Sequence, residues 1–372
     1  MQTPAAFQPS SRLLMGPGPS MVPASVLESM GKPVLGHLDP EFIKMMEELK
    51  GMLRQVFQTS NDMTFPVSGT GSAGMEFCFV NLIEPGDEVI VGVNGVFGMR
   101  MAEVAERCGA KVTKVEAPWG RIIEPGAISD ALTRVSRPKL VAVVHAETST
   151  GALTPVEEIS KLAHDAGALF VLDTVTSLGG CPVKLDEWRV DAVYSGTQKC
   201  LSCPPGLSPV SLSPRALEVA THRQRKVQSW YLDVNLLAAY WGQDRVYHHT
   251  APISMNYALH EALRLTLEEG LSARFLRHEQ CCQYLKRGLA ELGLQIVSQE
   301  GHQLWQLNAV GVPSGLDEAA LRKRMLLEFG IELGAGLGPL KGKIIRIGLM
   351  GETARTANVD RLLSALRTCL GK

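Results

Sequence analysis

The chain has 372 residues, 45% of them hydrophobic and 20% charged, with a formal net charge of −1. That length suits two domains with ample apolar core. The balanced charge offers no field for nucleic acid or an anionic membrane surface, so the expected partner is a small molecule.

In chain order, the opening stretch carries Pro4, Pro9, Pro17, Pro19 and Pro23. That is too much proline for a helix, and residues 1–20 read as an extended arm. A short apolar run, Met63–Val67, is followed by runs rich in Val, Leu and Ala: Val89–Val93, Val112–Val115, Leu140–Val144, Leu169–Leu172 and Ala192–Tyr194. Such continuous runs suit strands covered on both faces, as in a parallel sheet. Helical stretches lie between them, at Met75–Ile83, at Met99–Cys108 before Gly109, and at Pro155–Ala166 before Gly167. Those two glycines stand where a helix C-cap wants them. The alternation predicts an α/β domain with an open, mostly parallel sheet over residues 21–255.

From 256 the pattern changes. Residues 256–291 read as a long helix or helix pair. Strands are expected at Gln295–Val297, Trp305–Ala309 and Ile344–Leu349, and helices at Asp317–Phe329 and Ala357–Leu370. Residues 256–372 therefore form a smaller α+β domain in this reading. No apolar run approaches the roughly 18–20 residues of a membrane span, and Met1 to Ser10 lacks the basic and apolar blocks of a signal peptide. Eight cysteines scattered through so long a chain suit reduced thiols in a cytoplasmic protein better than a disulfide framework. Cys200 and Cys203 make one CxxC with no second pair at zinc-site spacing.

Gly69-Thr-Gly-Ser-Ala-Gly74 fits the GxGxxG pattern between an apolar run and a helical one. The rest of a dinucleotide fingerprint is missing, because the next strand ends at Asn94 rather than at an acidic residue. Glycines that let the backbone approach, free N–H groups at a helix N-terminus and two hydroxyls suit a single phosphate. A plain strand-to-helix turn would account for an isolated motif of this kind.

Two further features make that bland account harder to sustain. Leu169-Phe-Val-Leu-Asp173 is an apolar strand ending in a carboxylate that needs a partner if buried. Asp191-Ala-Val-Tyr-Ser-Gly-Thr-Gln-Lys199 is a short strand running into a polar turn that presents a lysine. Taken singly, the aspartate suits a helix cap and the lysine a solvated surface. In open α/β sheets, however, ligands gather at the C-terminal ends of strands. A phosphate cradle, a carboxylate to hold a pyridine nitrogen protonated and a lysine to form a Schiff base are the groups that pyridoxal-phosphate (PLP) chemistry needs.

The sequence resembles the class V, fold-type I aminotransferases, and within them the alanine–glyoxylate and serine–pyruvate group. The resemblance lies in Gly16-Pro-Gly-Pro-Ser20, Ser68-Gly-Thr-Gly-Ser72, Glu84-Pro-Gly-Asp87, Glu147-Thr-Ser-Thr-Gly151, Asp173-Thr-Val175 and Ser177-Leu-Gly-Gly180. It continues through Ser195-Gly-Thr-Gln-Lys199, Pro204-Pro-Gly206, Tyr247-His-His-Thr250, Gly336-Leu-Gly-Pro339 and Arg346-Ile-Gly-Leu349. It implies a PLP enzyme in which Lys199 is the Schiff-base lysine and general base, and Asp173 pairs with the pyridine nitrogen. It further implies that Thr70, Gly71, Ser72 and Gln198 surround the phosphate, that Thr148 lies near the ring hydroxyl, and that Val175 and Phe97 pack on the ring. Tyr247 and Thr250 would reach the phosphate of a neighbouring subunit in a homodimer, and Arg346 would grip the substrate carboxylate.

The implied reaction moves an amino group from alanine or serine to glyoxylate or pyruvate. Ureidoglycine–glyoxylate and aminoethylphosphonate aminotransferases, a PLP lyase and a non-catalytic assembly subunit share the scaffold. A phosphonate donor would want a cation beyond Arg346. Phe97 stands where relatives often carry Trp, and Ser72 replaces a histidine of the animal enzymes. The segment Gly36-His-Leu-Asp-Pro-Glu-Phe42 also departs from the animal pattern. No metal site is expected. The roles of His37 and His145 stay open, while His248 and His249 are expected to pack at the subunit contact.

Overall fold

The computed structural model describes residues 3–372. It opens with strand β1 (Leu13–Leu14) and helices α1 (Ala24–Met30) and α2 (Pro40–Phe57). The alternating region runs β2 (Met63–Ser68), α3 (Gly71–Leu82), β3 (Glu88–Val93), α4 (Val96–Arg107), β4 (Lys111–Glu116), α5 (Pro125–Leu132) and β5 (Pro138–Val144). A small hairpin, β6 (Ala146–Glu147) and β7 (Ala152–Leu153), precedes α6 (Glu157–Asp165), β8 (Leu169–Asp173), β9 (Ala192–Tyr194) and β10 (Leu207–Leu212). Helices α7 (Pro214–Thr221) and α8 (Val234–Trp241) lead to α9 (Ile253–Glu269) and α10 (Leu271–Glu291). The chain ends with β11 (Leu307–Gly311), α11 (Glu318–Phe329), β12 (Ile331–Glu332), β13 (Gly334–Ala335), β14 (Ile344–Gly348) and α12 (Thr356–Cys369).

Seven strands form the main sheet, in the order β2-β10-β9-β8-β5-β3-β4. All run parallel except β10, which is antiparallel to both β2 and β9. Most of the apolar runs are buried as expected, β8 and β9 along their whole lengths, but Val112–Val115 is not: β4 lies at the edge of the sheet and buries only Val115. Strand β10 was not legible, because Leu207-Ser-Pro-Val-Ser-Leu212 does not read as a core strand. All six of its residues are nevertheless buried. Its serines find partners: the Ser208 hydroxyl donates to the Ser195 carbonyl at 2.6 Å, and Ser211 lies 2.8 Å from the Thr64 hydroxyl. A polar residue can enter a core when its hydrogen bond is met there.

The 256–291 stretch is two helices broken at Gly270, whose φ of +80° suits glycine. Helix α9 buries Ala258, Leu259, Ala262 and Leu263 in the same core as the main sheet. Helix α10 instead contributes Cys281, Cys282, Leu285 and Leu289 to a second core with Ile345, Ile347 and Leu362. The two cores thus divide near Gly270 rather than at 256. Part of the arm joins the second core. Leu13 and Met15 are buried there, and β1 pairs with β12 in parallel. Of the expected strand at Gln295–Val297, only an isolated bridge between Ile296 and Val310 forms. There the chain turns away at Ser298, whose hydroxyl donates to the Thr150 carbonyl. Among the described residues, no helix is long and apolar enough to cross a membrane.

Candidate active site

Strands β2, β3, β5, β8 and β9 end on one side of the sheet, and the candidate residues emerge there. Asp173 closes β8 and is only 4% exposed. Its Oδ1 accepts the Val175 N–H at 2.8 Å, and its Oδ2 accepts the Tyr194 hydroxyl at 2.8 Å. Tyr194 stands beside Asp173 in the β8–β9 register. Burial pushes the Asp173 carboxyl up from 3.8 to about 7, against the pull of those two hydrogen bonds.

From Tyr194 the chain turns through Ser195–Gln198 to Lys199, which is 8% exposed. Burial, reinforced by the nearby Arg346 guanidinium, lowers the amine to about 8. The proline-rich arm closes over this lysine. Its ammonium donates to the Pro17 carbonyl, and Ser20 binds the loop twice, to the Gln198 carbonyl at 2.9 Å and the Lys199 carbonyl at 2.7 Å. Gly18 has φ +104°, and a Cβ on it would stand 2.7 Å from Lys199 Cδ, so a side chain there would displace the lysine.

The glycine loop supplies the third wall. Thr70 is the N-cap of α3 but forms no side-chain cap bond, leaving its hydroxyl available. The first N–H groups of α3 face the cavity end, where a helix favours an anion. Gly71 fits because a Cβ there would press to 3.1 Å from the Val175 side chain. The buried Gln198 Oε1 has no partner, so nothing holds that amide against turning its N–H2 toward an anion.

These parts enclose a cavity of about 210 Å³. That is below the range of roughly 300–1,000 Å³ for drug-sized ligands and suits one ring with a phosphate. Thr70, Gly71, Ser72, Phe97, Asp173, Val175, Gln198 and Lys199 all line it. So do three residues the sequence reading missed: Met75, Arg100 and Tyr194. Tyr194 was signalled by ending the strand that precedes the lysine turn. Arg100 lies one helical turn beyond Phe97, with its guanidinium 5.1 Å from that ring's centre.

The other expected residues lie outside this cavity wall. Thr148 is buried and hydrogen-bonded through its hydroxyl to Thr176. Arg346, on β14, is 7% exposed and donates from Nε to the Ala335 carbonyl at 2.7 Å and from Nη1 to the Thr148 carbonyl at 3.2 Å. Its Nη2 takes no partner among the described residues. Burial brings this guanidinium down to about 10. Tyr247 and Thr250 are exposed and lie apart from the cavity of their own chain. His37 packs against Tyr247, with ring centres 4.9 Å apart.

His145 is buried edge-on to Trp188, with ring centres 5.2 Å apart, and burial lowers it to about 4. Its backbone N–H donates to the Asp173 carbonyl at 3.0 Å, so it supports the strand end from behind. His248 and His249 pack on each other with ring centres 5.0 Å apart. Cys200 and Cys203 are buried, free thiols pushed up to about 12 by burial, which makes them inert core groups.

A buried carboxyl raised in this way leaves a sign in the folded protein without cofactor. Its contribution is full below pH 3.8 and is lost as pH rises toward 7, at about 1.4 kcal/mol per power of ten. His145, His249 and His278 are lowered and titrate with the opposite sign, so Asp173→Asn is the proper reference. In urea unfolding of the apo-proteins, Asp173→Asn should gain on the parent by roughly 2–3 kcal/mol between pH 5 and pH 8. A difference that stays flat with pH would mean that the carboxylate is already compensated.

Comparison with known proteins places this geometry in a family. The aminotransferase class-V family model matches residues 12–362. The chain is similar to the crystal structure of an alanine–glyoxylate aminotransferase from Nostoc sp., with 47% identity, a TM-score of 0.98, and coverage of 99% of this chain and 98% of the other. It is also similar to the ureidoglycine–glyoxylate aminotransferase structure from Bacillus subtilis, at 41% identity and a TM-score of 0.96, covering 98% and 94%. The Drosophila melanogaster alanine–glyoxylate aminotransferase is 41% identical over 97% of this chain and 92% of that protein. With its parallel sheet, its strand-end aspartate and its buried lysine, the chain belongs to the class-V aminotransferases, enzymes that depend on pyridoxal 5'-phosphate.

Proposed function

We propose that this enzyme transfers an amino group from a small amino acid, alanine or serine, to glyoxylate or pyruvate. The observation that carries the reading is the single cavity holding Lys199, Asp173 and the α3 N-terminus together. The residues fit the cofactor. A carboxyl pushed up to about 7 by burial suits a protonated pyridine nitrogen, and free helix N–H groups, with the Gln198 amide turned to present its N–H2, suit a phosphate. When bound, the cofactor supplies an electron sink for the substrate α-carbon.

The chain's own groups would do the rest. Lys199, lowered to about 8, has its unprotonated amine within reach at neutral pH. It would bond the cofactor and then carry a proton from the substrate as general base. Asp173 would hold the charge that develops on the ring, with Tyr194 fixing its second oxygen. Val175 and Phe97 would pack on the ring, and Thr70, Gly71, Ser72 and Gln198 would hold the phosphate. The open Nη2 of Arg346 would take a substrate carboxylate, while Ala335 and Thr148 fix the guanidinium plane.

Ureidoglycine is the second donor to consider, since the chain is nearly as similar to an aminotransferase named for it. Arg100 at the cavity wall is the additional cation that a phosphonate donor would want. A screen of donors against glyoxylate and pyruvate, following keto-acid formation, separates these readings. Intact Lys199 and Asp173 speak against a non-catalytic subunit.

We further infer a homodimer with shared sites. Tyr247 and Val246 are each 55% exposed, and Trp230 is 62% exposed, which is an unusual apolar surface unless a second copy covers it. Tyr247, Thr250 and the adjoining His37 would then serve the neighbour's phosphate end.

Arg346→Lys keeps the charge but loses the planar fork. It should raise KM for alanine and glyoxylate together, by about tenfold each, with PLP affinity unchanged. A rise for the donor alone would place the acceptor elsewhere, and no rise would make Arg346 structural. Mixing a Lys199→Ala chain with a Thr250→Glu chain, each inactive alone, should restore one sound site per heterodimer. Isolated heterodimers without activity would contradict the shared site.

A further inference from the structure

Glu147 has no part in the roles assigned above, yet it is fully buried beside the cavity and has more hydrogen-bond partners than its neighbours require for simple packing. Its Oε1 accepts the Ser149 N–H at 3.0 Å and the Ser149 hydroxyl at 2.5 Å. Its Oε2 accepts the Phe97 N–H at 3.2 Å and the Gly98 N–H at 3.4 Å. All four partners donate, the arrangement that favours an ionised carboxylate, and they oppose the upward push of burial on this carboxyl. The side chain therefore caps α4 from another strand. That helix has Gly95 at its own N-cap, with no side chain to offer. Gly95 is required there, because a Cβ would run into the Glu147 carboxyl and the Ser149 hydroxyl. Ser149 reinforces the link by accepting the Val96 N–H at 3.0 Å.

The two ends of this clamp lead to different functional parts. One oxygen fixes the backbone of Phe97, whose ring lines the cavity. The other fixes the turn after β6, where the adjacent Thr148 carbonyl accepts Arg346 Nη1. The Glu147 carbonyl tightens the same turn by accepting the Thr150 and Gly151 N–H groups, at 3.2 and 2.8 Å. Resting on the cofactor reading above, we infer that Glu147 is a positioning residue whose carboxylate sets the ring-stacking Phe97 and the carboxylate-binding Arg346 in one fixed relation. It touches neither cofactor nor substrate. It couples their two binding surfaces through α4 and the 147–151 turn.

Glu147→Gln tests this, because an amide presents an N–H2 to one of the two donor pairs and so releases one end of the clamp. Titrating the apo-protein with PLP should show affinity weakened by about tenfold, the worth of one or two charge-assisted hydrogen bonds. The visible circular dichroism of the bound cofactor, which reports a fixed ring, should fall. KM for alanine and for glyoxylate should rise together, while kcat drops far less because Lys199 and Asp173 are untouched. A variant with a lower melting temperature but parental PLP affinity, dichroism and KM would overturn the inference, since Glu147 would then be structural only.

If Glu147→Gln does not fold, Ser149→Ala removes the hydroxyl that joins Glu147 to Val96. It should move PLP affinity and both KM values in the same direction, by about threefold. Parental values for both would equally overturn the inference. A parent chain that takes up no PLP would overturn the cofactor reading itself, and with it this inference.

Discussion

Burying an amine and a carboxylate in one crevice is unfavourable unless each surrenders its charge or finds a partner. Both occur at the end of this sheet, with Asp173 pushed up to about 7 and Lys199 brought down to about 8. Each is displaced toward its neutral form, and the displacement is what makes them useful. A lysine amine whose proton is easily lost near neutral pH can act as nucleophile and base, and a buried carboxyl is a receptor for a protonated ring nitrogen. Such perturbed pairs gather at functional sites because stability alone would select against them.

The surrounding structure holds that arrangement in place. Tyr194 and the Val175 N–H leave the Asp173 carboxylate no freedom to turn away. The arm, anchored in the second core through Leu13 and Met15, returns to clasp the Lys199 loop through Ser20. The second core also supplies Arg346 on β14, which reaches back to the Thr148 carbonyl. The cavity walls thus belong to the first core, and the second core contributes the anchored arm and Arg346. Glu147 belongs to the same logic, tying a helix of the large core to the turn that receives Arg346.

Legibility in the sequence followed the physics of each element. Strands buried on both faces advertise themselves as apolar runs, so β3, β5 and β8 and the emergence of Asp173 could be read directly. Lys199 was legible because a short strand led into a polar turn and the family motif stood around it. Strand β10 was hidden because its serines and proline look like loop, the serine hydroxyls finding their partners on other strands and turns, at Thr64, Asn61 and Ser195. The assignment of α9 to the first core was hidden too, since helix periodicity says which face is buried but not against what. The arm's closure over Lys199 depends on contacts more than 170 residues apart, beyond any local signal. Tyr194 had a cue in its position at a strand end, while Arg100 had only helical spacing from Phe97.

The central claim is that Lys199, and no other lysine, bonds the cofactor inside this cavity. The direct measurement is to reduce the PLP-loaded protein with borohydride, digest it and map the phosphopyridoxyl group by mass spectrometry. The account predicts a single modified peptide carrying the group on Lys199, absent from Lys199→Ala. Stoichiometric modification of a different lysine, or the same labelling in Lys199→Ala, would contradict it.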